Sequence, residues 1–111
     1  MGVERRKDMT FKKVQKGEEV TCIIEGRVDT QSSPDLQIEF ERILDEDVKK
    51  FTLDFEKVNY LSSAGLRVIL WLQKRVSALD GGTVEVINAN DEVFEVFDMT
   101  GFTDFLPVNV N

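Results

Sequence analysis

The sequence predicts an α/β fold: a mixed, mostly parallel sheet of four to five strands with about three helices packed on it. Two observations predict it. Short β-branched, apolar runs alternate with segments of helical period, in the order β-β-α-β-α-β-α-β. Strands that alternate with helices pair in parallel through right-handed crossovers. The first two strands are separated only by the turn Lys16-Gly17-Glu18, which predicts an antiparallel hairpin at one edge.

Each element has its own signal. Met9 to Val14 is a weakly patterned first strand. Val20-Thr21-Cys22-Ile23-Ile24 is a second, β-branched and largely apolar. Glu25-Gly26-Arg27-Val28-Asp29-Thr30 reads as a loop. Ser32-Ser33-Pro34-Asp35 is a helix start, with serine at the N-cap, proline at the first helical position and an acid in the first turn. Leu36, Phe40, Ile43 and Leu44 then recur on one helical face. Phe51-Thr52-Leu53-Asp54-Phe55 is the third strand.

A second helix is expected from about Ser63 to Leu79. Gly65, Val68, Ile69, Leu72, Val76 and Leu79 share one sector of it, the core face. Asp80-Gly81-Gly82 turns the chain into the fourth strand, Thr83-Val84-Glu85-Val86-Ile87. Asn90 or Asp91 caps a third helix carrying Val93, Phe94, Val96 and Phe97, with Phe94 and Phe97 read as core. Gly101 sits where a left-handed residue ends a helix, with Phe102 behind it. Phe105 to Val108 is the expected last strand.

The bulk composition narrows the function. A chain of 111 residues is one domain. It is expected over residues 9–108, after a flexible N-terminus (1–8) and before a short C-terminal tail (109–111). Hydrophobic content of 41% and charged content of 32% suit a soluble globular protein. No apolar run approaches the ~18 residues of a membrane span, and no signal-peptide core follows Met1. A cytoplasmic protein with no direct membrane insertion is expected. A net charge of −7 argues against nucleic acid as a partner.

Histidine is absent, which removes Ser-His-Asp and Cys-His catalysis and the commonest metal ligand. No Cys/His cluster and no phosphate-binding P-loop motif is present, so no metal and no cofactor is expected. The lone Cys22 reads as a buried, reduced thiol. An enzyme is therefore not expected.

The most informative run is Asp54 to Leu70. It joins the end of a buried strand to a helix start that bears Ser62 and Ser63. Hydroxyls at a helix start sit where a negative charge is welcome. With no base to activate them they are poor nucleophiles, and either can serve as a plain N-cap. Relative to Gly65, the residues Ser63, Arg67, Leu70 and Lys74 project away from the core stripe, with Trp71 beside them. Arg67 lies four residues beyond Ser63, within reach of a group on it.

Four segments resemble the STAS domain family, in particular the bacterial anti-sigma-factor antagonists. They are Glu25 to Asp29, Asp54 to Tyr60, Leu61 to Leu66, and Val96 to Phe102. Their order and spacing agree over nearly the whole chain. The resemblance implies a STAS-like sheet and a partner-switching protein. Such an antagonist binds a serine-kinase anti-sigma factor, leaves it on phosphorylation at the start of the second helix, and is reset by a serine phosphatase.

Matched on Gly65, the phosphoacceptor falls on Ser63. Ser62 is the alternative acceptor; it stands where the family often has aspartate. The implied partner surface comprises Gly26, Arg27, Asp29, Thr30, Ser62, Ser63, Arg67, Leu70, Trp71 and Lys74. The alternative is a non-switching STAS subunit of a transporter or signalling assembly.

Overall fold

The computed structural model describes residues 8–110. Its strands are β1 (Met9–Lys16), β2 (Glu19–Val28), β3 (Lys50–Leu61), β4 (Thr83–Ala89) and β5 (Val108–Val110). Its helices are α1 (Ser33–Leu44), α2 (Ser63–Ser77) and α3 (Asp91–Met99), with a 3-10 turn at Phe102–Asp104. The sheet order is β1-β2-β3-β4-β5. The β1–β2 pair is antiparallel and the other three pairs are parallel. This is the expected mixed, mostly parallel sheet of an α/β fold.

Each crossover moves one strand along in the same direction. Right-handed crossovers of that kind place every helix on one face. The core follows. Phe51, Leu53 and Phe55 of β3 alternate inward and are buried. Phe40 of α1 meets Phe51 edge-on at 6.3 Å, and Phe97 of α3 meets Phe55 at 6.0 Å. The register brings Val20 and Cys22 of β2 beside Phe51 and Leu53, with Val84 and Val86 of β4 on the other side. The opposite face carries Thr21, Ile23, Thr52, Asp54, Glu85 and Ile87, all half-buried. All-parallel sheets are ordinarily covered on both faces.

The structure departs from expectation where the strands run toward α1 and α2. β2 continues through Val28, so Glu25 to Val28 is strand and not loop. β3 continues to Leu61. Two register shifts, between Ile23 and Glu25 and between Gly26 and Arg27, each insert one extra residue on the β3 side. The bulges break the inward–outward alternation, so Glu56 and Lys57 are both exposed, as are Asn59 and Tyr60. That broken period is why the sequence reads as loop there.

Other corrections are local. Helix α2 stops at Ser77 with Ala78 as its C-cap, so Leu79 lies beyond the helical stripe and is exposed. Leu66, outside the expected core sector, is buried. Of the expected last strand at Phe105 to Val108, only Val108 is strand: Phe105 to Pro107 follow the 3-10 turn as turn and irregular backbone, and β5 starts at Val108. Asn109 and Val110 therefore belong to β5 and not to a tail. The expected flexible N-terminus falls outside the described residues except Asp8, whose carbonyl accepts the Arg27 N–H at 2.8 Å. Asn111 lies outside them too. Asn90 is the α3 cap: its side-chain oxygen accepts the Val93 N–H at 2.8 Å, and its Nδ2 donates to the Val58 carbonyl at 3.2 Å.

Candidate functional site

The start of α2 divides its two serines. Ser62 is the N-cap, in extended backbone at φ −92° and ψ 172°. Its N–H donates to the Val28 carbonyl at 2.9 Å, which ties the helix start to the end of β2. Its Oγ accepts the Gly65 N–H at 3.2 Å, a conventional cap bond. Ser63 is the first helical residue and is exposed. Among the described residues its hydroxyl has no hydrogen-bond partner. The amides of Ser63 and Ala64 are among those a helix leaves without an internal acceptor. One hydroxyl thus holds the helix and the next is presented to solvent beside the positive end of the helix dipole.

Gly65 makes this approach possible. A β-carbon there would lie 2.6 Å from Val28 Cγ1, 2.8 Å from Leu61 Cδ1 and 3.1 Å from the Val28 carbonyl oxygen. Only a residue without a side chain lets α2 begin so close to the ends of β2 and β3.

The neighbouring β2–α1 segment is knotted around Asp29. Its Oδ1 accepts the N–H groups of Gln31 and Ser32, each at 3.0 Å. The Ser32 hydroxyl accepts the Asp29 N–H at 2.9 Å and donates to the Arg27 carbonyl at 2.8 Å. Ser32 is the N-cap of α1 by position, but this inward tie replaces a side-chain cap bond. The Ser33 hydroxyl donates to the Asp29 carbonyl. These donors, the Ser32 N–H foremost, hold the Asp29 carboxyl below the usual carboxylate range, against the opposing effect of partial burial.

Arg27 completes the end of the sheet. Its Nε lies 3.5 Å from Asp29 Oδ2, and its guanidinium lies 4.3 Å from the centroid of the Tyr60 ring. Tyr60 was not singled out from sequence. The β3 bulges turn it outward beside its register partner Arg27, and no period-two pattern announces that.

Between α1 and α2 runs an open groove of about 600 Å³. Thr30, Pro34 and Ile38 line one side, and Ala64, Arg67 and Trp71 the other. Of the residues expected at the partner surface, the structure brings Thr30, Arg67 and Trp71 onto this groove. Ser62 and Ser63 precede Ala64 at its end. Lys74 is exposed further along α2, and Leu70 is half-buried and off the groove. Gly26 has a backbone role: at φ 99° it packs against the Asp8 carbonyl, where a side chain would clash. Pro34 and Ile38 form the α1 wall, which the sequence pattern does not mark; the sequence sign for Ile38 is an apolar residue off the Leu36, Phe40 and Ile43 stripe, and it is 45% exposed.

No cluster of potential metal ligands occurs among the described residues. No helix among them is long and apolar enough to cross a membrane. Burial pushes the Cys22 thiol up to about 12, away from the reactive thiolate.

A five-strand sheet ordered in sequence, helices on one face and a capped serine pair opening α2 define a domain class. The chain belongs to the STAS domain family, whose model matches residues 11–111. Within that family it is similar to anti-sigma factor antagonists. A Bordetella bronchiseptica protein provisionally named anti-sigma factor antagonist BtrV is 32% identical over 89 residues, covering 80% of this chain and 75% of the relative. The crystal structure of an anti-sigma factor antagonist from Mycobacterium paratuberculosis superposes with a TM-score of 0.84 at 14% identity, covering 93% of this chain and 86% of that one. The antagonist SpoIIAA in its unphosphorylated form gives 0.79 at 18% identity, covering 89% and 87%. The Bacillus SpoIIAA in its phosphorylated form gives 0.71 at 18%, covering 89% and 90%.

Where the family often has aspartate this chain has Ser62. Serine and aspartate are about equally good N-caps. The exchange keeps the geometry of the helix start and removes one negative charge beside Ser63.

Proposed function

We propose that the chain is an anti-sigma-factor antagonist that works by partner switching. Unphosphorylated, it binds a serine-kinase anti-sigma factor. The kinase moves the γ-phosphoryl group of ATP to Ser63 Oγ. The bond to the β-phosphate oxygen breaks, ADP leaves, and the hydroxyl proton passes to a base of the kinase. A serine phosphatase then hydrolyses the ester with water, restoring the hydroxyl and releasing inorganic phosphate. The chain contributes no catalytic group; Ser63 is the substrate.

The observation that carries this reading is the division between the two serines. An acceptor must reach another protein's active site, and the exposed Ser63 hydroxyl has no competing partner among the described residues, whereas Ser62 is occupied as a cap. A phosphate on Ser63 adds a charge of roughly −1.5 to −2 at the favourable end of α2. The fold survives it. Release then comes from charge and bulk at the docking surface.

The test is to incubate the chain with the serine-kinase anti-sigma factor of the same genome and ATP, and to map phosphate by mass spectrometry. Phosphate on Ser63, lost in Ser63→Ala and kept in Ser62→Ala, is expected. Phosphate on neither serine, with copurification of a transporter ATPase, would replace this reading with a non-switching STAS subunit.

A further inference from the structure

The protein carries a net charge of −7, yet α2 holds Arg67, Lys74 and Arg75 and no acidic residue. Among the described residues none of the three is in an ion pair. By contrast α3 carries Asp91, Glu92, Glu95 and Asp98 and no cation. The surface is therefore polarised, and its cationic helix is the one that walls the groove. Arg67 is the cation on that wall. It is exposed, stands one turn from Ser63, and shares the groove lining with the apolar residues Pro34, Ile38, Val68 and Trp71. Glu41 is the carboxylate on the groove lining.

We propose that this groove seats an apolar segment of the partner that carries a carboxylate against Arg67, and that phosphate on Ser63 takes that guanidinium over. The proposal rests on the partner-switching reading and names the chemistry of the docked segment. An unpaired guanidinium beside apolar surface recruits a carboxylate with directional, charge-assisted hydrogen bonds. The same guanidinium lies four residues C-terminal to Ser63, the order in which an anion and a cation support each other on a helix. A doubly charged phosphate on the same turn outcompetes a carboxylate that must be brought from another molecule. Phosphorylation then removes the docking cation as well as adding repulsion.

Two measurements test it. In the first, phosphoserine is placed at position 63 by synthesis, so no kinase is needed, and its second ionisation is followed by 31P NMR. The pKa is expected to be lower in the Arg67 protein than in Arg67→Gln; equal values overturn the takeover by Arg67. In the second, binding of the unphosphorylated chain to the serine-kinase anti-sigma factor is read from the emission of Trp71, the chain's only tryptophan. Arg67→Glu is expected to weaken binding at least about tenfold and Arg67→Lys much less, while Glu41→Gln tightens it.

Wild-type binding that Arg67→Glu leaves unchanged overturns this proposal and spares the functional reading. No binding by the wild type overturns both. A wild-type dimer in sedimentation that Arg67→Glu dissociates overturns it by assigning the groove to a second copy.

Discussion

Gly65 and Val28 are packed so closely that a β-carbon on the glycine would sit 2.6 Å from the valine Cγ1. Val28 is fully buried at the end of β2 and has no room to retreat. An interior glycine in a helix ordinarily costs about 1 kcal/mol against alanine. Here overpacking outweighs that gain. Gly65→Ala is expected to lower stability by about 1 kcal/mol or more in urea denaturation. A stabilised variant would show that α2 can shift away from β2.

The two serines are expected to separate in stability as they do in geometry. Ser62→Ala removes the cap bond to Gly65 and should cost about 1 kcal/mol. Ser63→Ala removes an exposed hydroxyl and should change stability by less than about 0.5 kcal/mol. Parallel denaturation curves of the two variants check this, and equal losses would contradict the assigned roles.

Asp29 links stability to acid. Its carboxyl is held below the ordinary value of 3.8, first by the Ser32 N–H, so the unfolded chain binds a proton more readily than the native one. The stability this provides is present above 3.8 and is lost as pH falls through the lower native value. Asp29→Asn keeps one side-chain acceptor and removes the titration. Its stability should fall less steeply than that of the wild type below pH 3.8. Asp29→Ala also strands the N–H of the buried Ser32 and should cost about 1–3 kcal/mol at neutral pH.

Cys22 makes the opposite prediction at alkaline pH. Desolvation raises its pKa from 9.0 to about 12, with Lys13 opposing and Glu39 adding to the shift. The neutral thiol's contribution is fully present below 9.0 and is lost as pH rises toward about 12. Cys22→Ala is expected to flatten that alkaline loss. In the native protein at pH 8, the thiol should react with a maleimide far more slowly than in urea. Equal rates would place it at the surface.

Much of this fold was legible in the sequence because its inner faces follow simple periods. Phe51, Leu53 and Phe55 mark a strand, and Gly65, Val68, Ile69, Leu72 and Val76 mark the buried side of α2. The end of the sheet that builds the site was not legible. Its two β3 bulges erase the alternation from Glu56 to Tyr60, so a strand resembles a loop and Tyr60 gives no sign of its pairing with Arg27. The resemblance singled out Ser63 as the acceptor, but the sequence left open which of the two serines caps the helix. Which one caps depends on the Ser62 N–H reaching Val28, a contact between residues far apart in the chain. The groove escaped for a similar reason: its walls come from two helices that no single helical wheel displays together.

The placement of all three helices on one side of the sheet gives the molecule a front and a back. The serine pair and the groove lie at the front. Thr52 and Ile87 lie at the back, on strands whose inner residues do the packing. A tether attached at either of those two positions would hold the protein to a sensor surface with its working side toward the solution. The same tether on Ile38 or Lys74 would blindfold it.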